Sequence, residues 1–263
     1  MSELSLLQCG LIALVFVWSG FVRSGLGFGG AVLSLPFLLL IHNDALIYLP
    51  IIALQLIFFS SLILFQNHRS RQKQRKAGEP SEGSIDWRYL KKSLSIMLIP
   101  KLVGVFGLIT MPAMMLGIII FSIVSVYALS YILNRPFQSK NKTLDVVFLM
   151  LGGYVSGTSL IGAPLLTAVF ASHVAKEKLR DTLFALWFIL VWIKIAAFMY
   201  LSVDFHLMQQ LWLLPCAALG HVLGLKFHQK LQATNSVNFY RFMGGVLLFT
   251  SAVGLARTLF VAA

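Results

Sequence analysis

Two short stretches rich in glycine, one in each half of the sequence, interrupt apolar segments and carry residue types that can hold a small anion. They occupy residues 24–31 and 156–163. Glycine permits backbone conformations and close approaches that other residues do not. A helix that begins inside a membrane has unpaired N–H groups, and an anion bound there satisfies them and meets the positive end of the helix dipole. The paired breaks therefore predict an anion-binding site where they meet.

The candidate ligands are the glycines and hydroxyl residues of both breaks, together with three cationic side chains in or beside apolar segments. They are Ser24, Gly25, Gly27, Gly29 and Gly30 in the first break, Ser156, Gly157, Thr158, Ser159 and Gly162 in the second, and the cations Arg23, Lys101 and Lys194. Hydroxyls can donate to oxyanion oxygens, and a guanidinium presents a planar fork of donors. The glycines have an alternative role, which is tight helix packing.

The three cations also have alternatives. Arg23 directly precedes the first break, and it becomes a topology anchor at the inner surface if the first hairpin crosses the membrane fully. Lys101 and Lys194 lie near the middle of apolar segments at 93–110 and 182–201. A lysine facing lipid is costly, so each is expected to face a cavity or a partner, unless its long side chain reaches the surface. For the polar residues Gln55, Trp192 and His221, packing with one hydrogen bond is the expected role.

The acidic residues strengthen the prediction of an anionic ligand. All nine Asp and Glu fall in loops or at the ends of apolar segments. Proton-coupled and cation-selective proteins commonly use buried carboxylates. A cationic membrane interior without them favours a small anion as the substrate, although a sodium ion can also be held by backbone carbonyls.

The composition requires a membrane. The 263 residues are 58% hydrophobic, and the mean hydropathy is +0.85. Soluble domains are roughly 45–50% apolar, so lipid must cover this surface. The net charge of +12 lies mainly between apolar segments, which indicates topology rather than nucleic-acid binding. The expected partners are a small anion and the bilayer, with a homo-oligomer as an open alternative.

No enzymatic or metal-binding pattern is present in the sequence. It has no HExxH or GxSxG motif, and its six histidines are scattered over different segments. Cys9 and Cys216 lie in apolar runs without metal-ligand spacing. We therefore expect no catalytic residue, metal or cofactor. A membrane-embedded enzyme and a non-transporting assembly subunit are the alternative classes.

The positions of the basic residues predict one topology. Eight Lys and Arg lie in 67–92, and three lie in each of 134–143, 173–181 and 226–241, which together make 17 of the 21. These segments share one side of the membrane if each broken segment is a hairpin that returns to its starting side. The positive-inside rule makes that side cytoplasmic and places both termini outside.

The fold class predicted is an all-α polytopic membrane protein built as an inverted repeat. Residues 1–133 form the first half with a cytoplasmic basic loop at 67–92, residues 134–143 form a cytoplasmic linker, and residues 144–263 form the second half. Each half has a glycine-broken helical hairpin followed by three spanning helices. Residues 98–101 with Gly104, against 213–216 with Gly220, echo this repeat. The sequence leaves open whether the hairpins span fully or are re-entrant.

The two breaks also resemble the paired motifs of the TauE/SafE sulfite exporter family. The resemblance lies in Gly29-Gly30-Ala31 with Pro36, and in Gly152-Gly153, Ser156-Gly157 and Gly162-Ala163-Pro164. It covers nearly the whole chain, and the second motif has fewer glycines than is usual in the family. It implies a bacterial inner-membrane protein that moves sulfite, thiosulfate, sulfoacetate or a related organosulfonate.

We therefore expect a secondary transporter that exports a small sulfur oxyanion or organosulfonate through a midplane site between the two hairpins. The alternative is an importer or exchanger of a carboxylate, coupled to Na⁺ or H⁺, which a cationic interior also permits.

Overall fold

The computed structural model describes residues 5–26, 30–76, 85–135, 137–139, 141–231 and 237–260, and every regular element among them is a helix. The ten helices are α1 (Leu6–Leu26), α2 (Gly30–Ile41), α3 (Ala45–Lys76), α4 (Trp87–Thr110), α5 (Ala113–Ile132), α6 (Lys142–Ser159), α7 (Ala163–His173), α8 (Lys176–Tyr200), α9 (Leu207–Leu231) and α10 (Val237–Phe260). This confirms the all-α fold class.

Six of these helices are long and apolar enough to cross a membrane, namely α1, α3, α4, α5, α8 and α10. Their outward faces carry large apolar side chains, such as Ile99, Phe106 and Phe249, which are about 70% exposed. Surfaces of this kind need lipid rather than water around them. The chain is therefore a multi-pass membrane protein. Helix α9 is long enough to span, but Gln209, Gln210 and His221 lower its hydropathy, and it is not among the six.

Each predicted hairpin pairs a long helix with a short one. Helices α2 and α7 have 12 and 11 residues, which corresponds to about 18 and 17 Å of length. That is roughly half of the 30 Å hydrocarbon core of a bilayer. If the far ends of α2 and α7 lie at a membrane surface, we expect their N-termini to lie within the membrane. Arg23, Ser24 and Gly25 form the last turn of α1 instead of following it.

Two boundaries differ from the sequence prediction because helices continue beyond their apolar segments. The expected loop at 67–92 is helical at both ends, since α3 continues to Lys76 and α4 begins at Trp87. Lys, Arg and Gln are good helix formers, which explains the extension of α3. Asp86 caps α4 by accepting from the Tyr89 amide at 2.9 Å. Residues 77–84 of this loop lie outside the described part. Asn141 caps α6 in the same way, so that helix begins inside the expected linker at 134–143.

The contacts between helices follow the division into two halves. Helix α1 packs on α9, and its counterpart α6 packs on α4; α2 lies beside α3 as α7 lies beside α8. Helix α3 also packs on α8, and α5 on α10, each a contact between counterparts. This is the pattern that two equivalent halves would produce. The inverted orientation of the halves across the membrane stays a prediction.

The α1–α9 contact depends on small residues. A Cβ added to Gly220 would lie 1.8 Å from the Val17 carbonyl oxygen, so the two helix backbones touch at this point. Close backbone approach of this kind is a common way for helices to associate in a membrane, where lipid removes most of the hydrophobic driving force. The approach fixes α1, and hence Arg23 at its end, against the second half of the chain.

Replacing Gly220 by alanine should therefore separate α1 from α9 and lower the thermal stability of the purified protein by several degrees. Overpacking of a tight contact typically costs about 1–3 kcal/mol. Gly245→Ala on α10 is the matched control, because nothing lies within 4 Å of an added Cβ there. Equal melting temperatures for the two variants would contradict this account of the contact.

Candidate functional site

Arg23 is a buried cation whose guanidinium has no hydrogen-bond partner in the described part of the chain. The residue is 2% exposed, and none of its three guanidinium nitrogens meets an acceptor among the described residues. Its guanidinium carbon lies 4.9 Å from the centre of the Phe59 ring, which gives it one cation–π contact. This burial favours a site role over the alternative of a surface anchor. A buried charge without a counter-ion is costly, and an anion would relieve that cost.

A small cavity beside Arg23 lies where both breaks meet. Its volume is about 30 Å³, which is the scale of one or a few water molecules. Gly30 and Ala31, at the start of α2, and Ala163, at the start of α7, contribute to its wall. The N–H groups of a first helical turn have no partner within the helix, and α7 has no side-chain cap. Two helix N-termini and one guanidinium therefore place positive charge around a single small space.

Two further donors line the same cavity, and the sequence analysis did not identify either. They are Ser60 on α3 and Trp187 on α8. The Ser60 hydroxyl and the Trp187 indole nitrogen are both buried without a hydrogen-bond partner among the described residues. Buried polar groups usually have partners, so three such groups around one cavity indicate a polar ligand. All three can donate, as binding an oxyanion requires.

The second break contributes Ser156 and Leu160 to the cavity wall. Leu160 ends α6 in the left-handed region, with φ 60° and ψ 9°. This conformation is uncommon for residues other than glycine and costs of order 1–3 kcal/mol. The break is therefore a strained feature that the surrounding packing maintains.

Lys101 and Lys194 are fully buried and bind the C-terminal end of α6. The Lys101 ammonium donates to the carbonyl oxygen and the hydroxyl of Ser156, at 3.0 Å each. The Lys194 ammonium donates to the carbonyl oxygens of Gly157 at 2.7 Å and Thr158 at 3.3 Å. All three carbonyls belong to the last turn of α6, where the helix itself supplies few partners. The Ser156 carbonyl also accepts from the amide of Leu160, the C-cap residue, at 3.3 Å. Neither lysine is part of the cavity wall as the described residues form it.

Gly157 allows α4 to come close enough for Lys101 to reach this helix end. An added Cβ at Gly157 would lie 2.4 Å from the Lys101 carbonyl oxygen and 2.9 Å from the Gly104 Cα. The glycine thus has the packing role that the sequence left as its alternative. Its carbonyl, in contrast, is part of the lysine-binding end of α6.

Three predicted hydroxyl residues, Ser24, Thr158 and Ser159, are not among the residues that line the cavity. Ser24 hydrogen-bonds to His221, which also packs against the Phe59 ring. The hydroxyls of Thr158 and Ser159 donate to the Val155 carbonyl within α6, at 3.1 and 3.0 Å.

Four glycine positions complete the predicted set. Gly162 is the N-cap of α7, and Gly25 lies in the last turn of α1. Gly27 and Gly29 lie outside the described residues. The structure thus brings Arg23, Gly30 and Ser156 together at one cavity, and the assignment of all these residues to the substrate stays a prediction.

Two of the polar residues expected to be in packing roles lie away from the cavity. Trp192 is 47% exposed on the outer surface, whereas Trp187, five residues earlier on the same helix, faces the cavity. Gln55 contacts Gln210 of α9 at 3.4 Å. Among the described residues, no group of His, Cys, Asp and Glu is arranged to hold a metal ion.

The fold and the cavity together define a class of protein. The described residues include six membrane-length helices, and a small space beside a buried guanidinium lies between the two broken hairpins and helices α3 and α8. Membrane transporters built around discontinuous helices have this arrangement.

Comparison with protein families gives the same class independently. The model of the family described as sulfite exporter TauE/SafE matches residues 12–254. The chain belongs to this family. Because the family consists of transporters, this match confirms the predicted family, a role in membrane transport of anions and the assignment as a non-enzyme. Searches among curated proteins and among solved structures gave no match.

The unpaired state of Arg23 leads to a prediction about stability. Arg23→Met should raise the melting temperature of the ligand-free protein. Burying an unpaired charge costs several kcal/mol, whereas its cation–π contact contributes only about 2 kcal/mol. Thermal unfolding in detergent measures this. Arg257→Met is the control, because that guanidinium donates to the Leu40 carbonyl at 2.7 Å. A lower melting temperature for Arg23→Met than for wild type would contradict the unpaired state.

Proposed function

We propose that this chain exports a small sulfur oxyanion, such as sulfite or thiosulfate, through the cavity between its two broken hairpins. The observation that carries the proposal is the guanidinium of Arg23, which is buried beside the N-termini of α2 and α7 and meets no acceptor among the residues that the structure describes. An oxyanion supplies acceptors to all of these groups at once. The family match supports the same class of substrate.

The chemistry of the cavity wall favours a compact anion with several oxygen atoms. Ser60 and Trp187 add two neutral donors to the charged one, so oxygens pointing in different directions can each find a partner. The space of about 30 Å³ is far below the roughly 300–1,000 Å³ of sites for drug-sized ligands. This favours sulfite or thiosulfate over the larger sulfoacetate in the conformation described.

The direction of transport follows from electrostatics. In a bacterial inner membrane with a negative interior, the potential drives an anion outward by about 2.3 kcal/mol per charge per 100 mV. Export therefore needs no coupling ion, whereas accumulation inside would need one. The proposed orientation places both termini outside and the basic segments in the cytoplasm, as the positive-inside rule requires.

Flux from proteoliposomes tests the proposal. Vesicles containing the purified protein are loaded with sulfite, thiosulfate, sulfoacetate, taurine or a dicarboxylate, and efflux is measured with and without an imposed potential. We expect potential-driven efflux of sulfite or thiosulfate. Flux of the dicarboxylate alone would instead identify a carboxylate transporter, and would overturn the substrate while leaving the fold unchanged.

Substitutions in the cavity wall test its role in that flux. Arg23→Gln should lower sulfite efflux at least about 30-fold, because losing a charged partner from a desolvated site costs roughly 2 kcal/mol or more. Trp187→Phe and Ser60→Ala should each lower it about two- to tenfold, as for the loss of one neutral hydrogen bond. The amount of protein in the membrane is measured in parallel.

Matched controls are available for each type of substitution. Trp192→Phe changes an exposed tryptophan on the same helix as Trp187, and Arg135→Gln removes an exposed arginine from a loop. Both should keep wild-type efflux. Equal efflux from Trp187→Phe and Trp192→Phe, together with normal efflux from Arg23→Gln, would remove the cavity from the transport path.

A further inference from the structure

The C-terminal end of α6 is a cation site that the protein fills with its own side chains. Its last-turn carbonyls at Ser156, Gly157 and Thr158 all accept hydrogen bonds from lysine ammonium groups. Both lysines are fully buried, and neither pairs with a carboxylate among the described residues. The helix end is therefore their counter-charge, since a helix C-terminus carries about half a negative charge.

The position of this end explains why it needs cations. Ser156 belongs both to the last turn of α6 and to the wall of the cavity beside Arg23. An anion in that cavity would lie next to the negative end of a helix dipole, which repels it. Two ammonium groups on the same carbonyls offset that repulsion. The Lys101 ammonium also holds the Ser156 hydroxyl at 3.0 Å, so it is one side chain away from the cavity.

Backbone carbonyls at the broken end of a helix are the groups that bind the coupling sodium ion in many secondary transporters. We propose that Lys101 and Lys194 take the place of such an ion permanently, so that this transporter moves its anion without a monovalent metal cation. This inference rests on the proposed function. It adds that anion transport is not coupled to a sodium or other monovalent metal ion. The two lysines are thus positioning residues that act on the anion through α6.

The first test uses wild-type protein and distinguishes transport of the anion alone from transport of the anion together with sodium. An anion that moves without a co-transported cation carries net charge, so its flux should respond to an imposed potential. The flux should be equal in sodium, potassium and N-methyl-D-glucamine salts of the same concentration. Flux that requires sodium, or that a sodium gradient drives, would overturn the proposal.

The second test removes each lysine side chain by substitution and adds a small ammonium ion that can replace it. Lys194→Ala and Lys101→Ala remove three carbons and a nitrogen, which is the composition of propylammonium. We expect each variant to melt several degrees below wild type and to lose at least tenfold in flux. Propylammonium should raise both quantities in the variants and neither in wild type. Lys92→Ala, an exposed position on α4, is the control.

The melting temperatures keep this inference separate from the proposed function. If wild type moves none of the anions in the panel, the proposed function fails, and the lysine inference is still decided by stability in detergent. Wild-type stability should not depend on sodium. A melting temperature that rises with sodium in wild type, or variants that melt as wild type does and ignore propylammonium, would overturn the assignment of the lysines.

Discussion

The organisation of this protein depends on what happens to helix ends that lie away from water. A helix that stops inside a membrane leaves four N–H groups at one end and four carbonyls at the other, and no solvent is present to satisfy them. The carbonyls at the end of α6 bind two lysines. The N-termini of α2 and α7 instead meet at a cavity with Arg23. Under the proposed function, the positive ends are left for a ligand, whereas the protein's own lysines bind the negative end.

In the proposed anion site, groups of opposite sign lie next to each other. Without the lysines, the end of α6 would bring negative potential to the wall formed by Ser156. Gly104 and Gly157 are the small residues at the α4–α6 contact. They allow the Lys101 ammonium to reach the Ser156 carbonyl. Packing and electrostatics are therefore linked, because the close approach of two helices decides where a charge can be placed.

The sequence predicted the helices and located three cations within or beside apolar segments, but it did not show which groups those cations contact. A charge in an apolar segment is so costly that Arg23, Lys101 and Lys194 were identifiable without a structure. Their partners were not, because whether a buried ammonium meets a ligand or a carbonyl depends on how α4 and α8 pack on α6. Gly27 and Gly29, in the first break, lie outside the described residues.

Trp187 and Ser60 show why the rest of the site was missed. In a helix that is apolar on all sides, hydrophobic periodicity does not indicate which face points inward. Trp187 and Trp192 are five residues apart, which rotates them by roughly 140° around the helix. One therefore lines the cavity while the other lies 47% exposed on the outside. The packing of α8 against its neighbours, including α3, therefore distinguishes the two tryptophans, and the sequence pattern does not.

The two halves have similar helix contacts and different charges. In the repeat that the sequence predicts, Pro100-Lys101 corresponds to Pro215-Cys216, so the second half has no lysine at the matching position. The end of α1 is instead held by the hydrogen bond between Ser24 and His221. Its cation, Arg23, turns to the cavity and has no acceptor there. Under the proposed function, two halves with similar helix contacts thus give an asymmetric field: the end of α1 supplies the charge that attracts the anion, and two lysines offset the negative end of α6.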